Sequence, residues 1–221
     1  MLQAVGFDLD GTLLVAERDR ESLLHAACER VGAPRLDREA YVRAHRQQQG
    51  GADREVVFAT LLADHETDVD AAALAAAYDA VVEAATGPLP GAAALVDRLR
   101  ERYAVGLLTD GPVGTQRRKL ERVGWADLFD AVVVTGGLDA PKPDERAFEA
   151  LCEALDVPPG ATAYVGDNPE ADIAGAAAAG LHPVQVLYEG GPAPHPDAAA
   201  TVERAALAEA LPALLAGLED S

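Results

Sequence analysis

Four short apolar runs each break off into carboxylates, hydroxyls or glycines, and stretches with helical spacing separate them. Val5-Gly6-Phe7 leads into Asp8-Leu9-Asp10-Gly11-Thr12, and Tyr103–Leu108 into Thr109-Asp110-Gly111. Ala131–Val134 leads into Thr135-Gly136-Gly137, and Ala163-Tyr164-Val165 into Gly166-Asp167-Asn168-Pro169. Strands alternating with helices predict an α/β fold built on a doubly wound, parallel, Rossmann-like sheet. The carboxyl ends of such strands are where open sheets of this kind place their ligands, so the polar clusters mark one candidate site.

The residue types there suit group transfer. Side-chain alternation would project Asp8 and Asp10 to the same side of the first strand, and two like charges so close need a cation. With a divalent metal bound, one carboxylate can attack an electrophile while the other delivers or removes a proton. Gly11 lets the chain turn away and Thr12 offers a hydroxyl at the mouth. On its own this stretch also reads as an ordinary acidic turn. Lys142 lies between Pro141 and Pro143, which favour an extended backbone. It is one of two lysines, with Lys119, beside 16 arginines. Its compact charge and rotatable donors suit a transferring phosphoryl oxygen, although a lysine in a proline-bounded turn is also a common surface feature. Asn168 and Pro169 suit the cap and first turn of a helix running from about Glu170 to Ala179 and stopping at Gly180. Its N-terminus would face the site, where anions are favoured.

Asp8-Leu9-Asp10-Gly11-Thr12, Thr109-Asp110-Gly111, Lys142 between prolines, and Gly166-Asp167 through Asp172 resemble, in order and spacing, the four motifs of the haloacid dehalogenase-like hydrolase superfamily. The resemblance spans residues 4 to about 190. It implies that Asp8 is the nucleophile forming an aspartyl-phosphate, and that Asp10 is the general acid and then the base. Thr109 and Lys142, with Asp110 and Gly111 in the same turn, would hold the phosphate. Asp8, the main-chain carbonyl of Asp10, and Asp167 would bind Mg²⁺, with Thr12 and Asp172 behind them. Mg²⁺ and Lys142 are then the evident cations for the developing charge. Phosphatase members carry the second aspartate and the dehalogenases usually do not, so Asp10 favours phosphate ester chemistry on a small phosphorylated metabolite. Most relatives have Asn at the place of Asp110. An acid there must point away, touch a substrate hydroxyl or pair with a base. The resemblance implies strand order 5-4-1-2-3. A 2-haloacid dehalogenase and a non-catalytic phospho-acceptor or phosphometabolite-binding module remain the alternatives.

Between the first and second motifs the spacing predicts four helices and no strands: Glu17–Val31, Asp37 to about Gln48, Asp53–Leu62 and Asp68–Ala85, with Gly50-Gly51 as a break. Residues 16–87 thus read as an inserted helical bundle, and residues 1–15 and 88–221 as the catalytic core. Gly87-Pro88-Leu89-Pro90-Gly91 would be a stiff return linker. In the family such an insert is a cap that closes over the site, and this one resembles those of the phosphoglycolate phosphatase-like and pyrimidine 5′-nucleotidase-like branches. Arg18, Arg20, His45, Arg46, Gln47 and Arg54 are candidate cap contacts. Further helices are expected over Gly91–Arg102, Gly114–Val123, Asp144–Leu155 and Ala205–Leu218, with strands over His182–Leu187 and Ala199–Val202.

A net charge of −19, few lysines and few large aromatics resemble proteins of salt-in halophiles. That charge disfavours nucleic acid and anionic membranes as partners. No signal peptide or bilayer-length apolar run is evident, so a soluble, cytoplasmic enzyme, monomeric or a homodimer, is expected. Cys28 and Cys152 lack metal-ligand spacing and read as reduced core residues.

Overall fold

The computed structural model describes residues 1–16, 18–47 and 54–219, with the side chain of Arg46 left out. Glu17, Gln48, the Gly50-Gly51 break and the expected cap Asp53 therefore lie outside the described residues. The chain divides into two compact units, 1–15 with 88–221, and 16–87.

The larger unit is built on a six-stranded parallel sheet. Its strands are β1 (Ala4–Phe7), β4 (Ala104–Thr109), β5 (Ala131–Val134), β6 (Thr162–Gly166), β7 (His182–Leu187) and β8 (Ala200–Glu203), in the order β5-β4-β1-β6-β7-β8. Counted among core strands alone this is 3-2-1-4-5-6, the run 5-4-1-2-3 read from the other edge with a sixth strand added. β1 is central, paired in parallel with β4 on one side and β6 on the other, and all four of its residues are buried. Alternation sorts its side chains between two cores. Val5 and Phe7 join Leu95, Val96 and Leu99 of α5 (Ala92–Arg100) and Leu207, Leu211 and Leu215 of α9 (Leu207–Glu219). Ala4 joins Phe148 and Leu151 of α7 (Glu145–Leu155) and Ala176 of α8 (Gly175–Ala178). A Cβ on Gly6 would stand 2.5 Å from Leu151 Cδ2, so the glycine lets α7 pack close to the middle strand.

The smaller unit holds α1 (Arg20–Val31), α2 (Arg38–Gln47), α3 (Arg54–Leu62) and α4 (Ala71–Ala85). Leu23, Leu24, Phe58, Leu74 and Tyr78 form its own core, and Tyr41 packs its ring 5.4 Å from those of Phe58 and Tyr78. Asp19 caps α1 through Ser22 N, and Gly32, with φ 70°, ends it. Asp37 accepts from Ala40 N at the start of α2.

Three local expectations change. Asp70, not Asp68, caps α4, accepting from Ala72 N. Val69 before that cap and Leu74 after it both join the apolar core, as in a hydrophobic staple, and this sets the later start. Both chain crossings between the units are strands, not linker alone: β2 (Leu14–Ala16) pairs with β3 (Thr86–Pro88) in a two-stranded ribbon. After β6 the chain first makes a π-helical segment, Pro169–Ala174, and only then α8. Asn168 Oδ1 accepts from the amides of both Glu170 and Ala171, and the Asn168 carbonyl takes those of Asp172 and Ile173. Such widened turns are frequent at functional sites.

Candidate active site

The strand ends of the larger unit gather five carboxylates and three cations. β1 stops at Phe7, before either aspartate of the first motif, so strand alternation does not place them. Asp8 N is held by the Val165 carbonyl of the neighbouring strand at 2.9 Å, and the Asp8 side chain is buried. Gly11 follows with φ 101°, and a Cβ there would lie 2.6 Å from Asp167 Oδ2. Any other residue would be strained and would collide with the fourth motif.

Lys142 Nζ donates to Asp8 Oδ1 and Asp172 Oδ1, both at 2.7 Å, and to the Tyr164 hydroxyl at 3.2 Å. That uses all three ammonium hydrogens. The Tyr164 hydroxyl in turn donates a hydrogen bond to the Leu108 carbonyl. Burial pushes the Asp8 carboxyl well up, against the pull of Lys142. Burial alone would lower the Lys142 ammonium, but Asp8, Tyr164 and Asp172 outweigh it and hold it well above its ordinary range. Asp172 reaches this cluster because the π-helical turn folds it inward, where its other oxygen accepts from Asn168 N at 2.9 Å. A Cβ on Gly166 would stand 2.5 Å from that carboxylate.

Asp10 turns to different partners. Its Oδ2 accepts from Lys119 Nζ at 2.6 Å and Gln116 Nε2 at 2.9 Å, both on α6 (Val113–Arg122). Gln116 Nε2 also lies 2.6 Å from Thr109 Oγ1 and 2.7 Å from the Asp110 carbonyl. Asp110 points away from this edge. Its Oδ1 accepts from the Thr135 hydroxyl at 2.7 Å and from the Lys142 backbone amide at 3.1 Å, tying the lysine loop to the end of β4. The Lys142–Pro143 peptide is cis.

Asp8, Asp167 and Asp172 bring one ligand oxygen each to within 4.8 Å of one another. Burial, with Asp172 nearby, raises the Asp167 pKa to about 6. Three hard oxygen donors in a region with more carboxylates than cations fit a small divalent ion such as Mg²⁺.

The family model for haloacid dehalogenase-like hydrolases matches residues 2–180. This chain is a haloacid dehalogenase-like hydrolase. It is 34% identical over 189 residues to a phosphoglycolate phosphatase of Cereibacter sphaeroides (strain ATCC 17029 / ATH 2.4.9), covering 81% of this chain and 83% of that one. It is 32% identical over 197 residues to a glyceraldehyde 3-phosphate phosphatase of Methanopyrus kandleri, with 84% of each covered. A HAD phosphatase from Thermococcus onnurineus has the same fold, with a TM-score of 0.67 and 25% identity, covering 98% of this chain and 99% of that one.

In this hydrolase the sequence-derived site residues fall into linked groups: Asp8, Lys142 and Asp172; Asp10 and Thr109; Thr12 and Asp167, 3.4 Å apart. Gly111 sits in the β4 turn with φ 118°. The expectation that Lys142 is the evident protein cation needs correction, because Lys119 and Arg204 also reach the site. Arg204, just after β8, donates to the Gly11 carbonyl at 2.5 Å, lies 3.4 Å from Asp167 Oδ2, and stacks on the Tyr188 ring at 3.6 Å. Its distance along the chain hides it from any motif. Gln116 and Lys119 sit three residues apart on a helix, a spacing that marks one shared face but names no target. Among the expected contacts in the smaller unit, Arg54 pairs with Asp79, Arg18 donates to the Ser22 carbonyl, and His45 stacks on Tyr41. Arg20 and Gln47 are exposed.

Proposed function

We propose that this hydrolase is a Mg²⁺-dependent phosphatase that cleaves a small phosphorylated metabolite through an aspartyl-phosphate on Asp8. The observation that carries the reading is the buried Asp8–Lys142–Asp172 cluster beside Asp167: a nucleophile, a fixed cation and a hard-metal ligand set at one strand edge. The phosphatase relatives support the substrate class. The ion would be held by Asp8, the Asp10 carbonyl and Asp167, with Asp172 adjoining, and when bound it supplies positive charge to the transferring phosphoryl group.

In the first half-reaction an Asp8 oxygen attacks phosphorus, the bond to the leaving oxygen breaks, and Asp10 gives that oxygen a proton. In the second, water attacks the aspartyl-phosphate and passes a proton to Asp10. Asp8 is released as a carboxylate, together with inorganic phosphate. Thr109 binds an equatorial oxygen, and Lys142 joins it by turning one of its three engaged N–H groups from a present partner to the phosphoryl group. Asp110 and Gly111 shape that pocket through the backbone, and Thr12 steadies Asp167. The helical unit 16–87 is assigned the part of a cap that selects the leaving group. Among the described residues no helix is long and apolar enough to cross a membrane. A cytoplasmic setting, without nucleic-acid or membrane partners, completes the proposal.

A substrate panel tests it: phosphoglycolate, nucleoside monophosphates, sugar phosphates and glycerol phosphates, assayed with MgCl₂ and with Asp8→Asn as blank. Phosphate release from at least one ester, falling on the order of 10³-fold or more in the variant, is expected. Wild-type turnover by Asp8→Asn would refute the nucleophile.

A further inference from the structure

We propose that Gln116 and Lys119 are positioning residues that pose Asp10 for proton transfer, anchoring its Oδ2 so that the proton is exchanged at Oδ1. This rests on the reading of Asp10 as the acid and base. Asp10 lies beyond the end of β1 and 39% of its side chain is exposed, so the strand leaves its rotamer free. What restrains it is α6, where two donors three residues apart converge on the same oxygen. A carboxylate oxygen offers two lone pairs, and here Gln116 and Lys119 fill both on Oδ2. A proton to be given or taken is left to Oδ1.

Gln116 is itself fixed. It is 2% exposed, and its amide nitrogen shares two hydrogens among three acceptors: Asp10 Oδ2, Thr109 Oγ1 and the Asp110 carbonyl. The reverse amide orientation would set Oε1 against the carboxylate and the carbonyl, so the nitrogen belongs there. The contact serves Thr109 as well. A hydroxyl that accepts from Gln116 keeps its own hydrogen to donate to a phosphoryl oxygen. One amide therefore links the phosphate-holding group to the proton carrier.

Lys119 supplies the second anchor. The chain has two lysines, and each pairs with one aspartate of the first motif, Lys142 with Asp8 and Lys119 with Asp10. An ion pair as open as Lys119–Asp10 contributes little to folding. Its removal should therefore be felt in catalysis rather than in stability. A misplaced acid slows only those reactions whose leaving group needs a proton.

The test compares Lys119→Met with wild type on phenyl phosphate and 4-nitrophenyl phosphate, reading kcat/KM, which reports the first phosphoryl transfer. Phenolate needs protonation to leave and nitrophenolate does not. The expected result is a loss of about tenfold or more on phenyl phosphate and less than about threefold on the nitrophenyl ester, at an unchanged melting temperature. Lys119→Arg, which keeps charge and donors, should recover most of the loss. Equal losses on both esters, or none on either, overturn the proposal. Asp10→Asn, run alongside, separates two failures. If it shows the leaving-group dependence and Lys119→Met does not, the positioning role is wrong and Asp10 remains the acid. If Asp10→Asn also affects both esters equally, the reading of Asp10 itself falls. Should Lys119→Met not fold, Lys119→Ala, which likewise removes the donor, carries the same comparison.

Discussion

Lys142 and Lys119 each hold an aspartate of one short loop, yet the first pair is sealed in protein and the second stands half open to water. The Lys142 side chain is 3% exposed and its partners Asp8 and Asp172 8% and 2%, against 23% and 39% for Lys119 and Asp10. Where charges are buried, each is held there by its partner, and removing one leaves the others uncompensated. Where they are open, water can replace either partner, and what the pair keeps is a direction. The same kind of contact thus offsets the cost of buried charge in one place and fixes an orientation in the other.

Removing the buried cation probes the comparison most severely. Lys142→Met should lower unfolding free energy by about 3–5 kcal/mol, because Asp8 and Asp172 are left without their counter-charge. It should also cost orders of magnitude in turnover. The matched Lys119→Met should change stability by less than about 1 kcal/mol. Urea titrations of the two variants measure both, and equal effects would erase the distinction between the sites.

Metal and pH test the buried side next. Asp167 titrates near 6 instead of 3.8, so without metal the folded protein holds that proton more tightly than the unfolded chain. Its contribution to metal-free stability is therefore fully present below about pH 4 and is lost as pH rises through about 6. Binding Mg²⁺ requires the ionised form, so apparent affinity should strengthen by up to about tenfold per pH unit below 6. Melting curves across this range with and without MgCl₂ should show the two opposite slopes. A metal effect independent of pH would remove Asp167 from the ligand set.

A smaller effect is expected at Asp110, which accepts one hydrogen bond from the Lys142 amide and one from the Thr135 hydroxyl. Asp110→Ala strands the Thr135 hydroxyl and the Lys142 amide and should cost about 1–3 kcal/mol, whereas Asp110→Asn keeps an acceptor oxygen and should cost less than about 1 kcal/mol. Denaturation midpoints of the two variants decide this. Equal losses would mean that the charge, not the acceptor, matters. Smallest at the site should be the response to salt. Raising KCl from 0.1 to 1 M shrinks the Debye length from about 10 to about 3 Å, which relieves surface repulsion and screens the open pair while leaving the buried one alone. Melting temperature should rise with KCl, and a flat or falling response would remove the halophile-like reading of the composition.

Much of this could be read along the chain because it is local. Apolar runs ending in Asp8-x-Asp10, Thr109-Asp110-Gly111 and Gly166-Asp167 name strand ends, and Asp37, Asp144 and Asn168 name helix starts, since a cap needs only neighbouring amides. The staple that moved the cap from Asp68 to Asp70, and the π-helical turn that directs Asp172 inward, depend on packing that spacing does not record.

By itself the sequence determined the alternation of strands and helices, the family, and which aspartates and which lysine lie at the carboxyl ends of the sheet, because those follow from backbone periodicity and contiguous motifs. Only the tertiary structure decided which cation meets which carboxylate: Lys142 with Asp8 and Asp172, Lys119 with Asp10, Arg204 with Asp167. Coulomb attraction acts across space, and residues 109 or 134 positions apart become neighbours only once the sheet has brought its strand ends together.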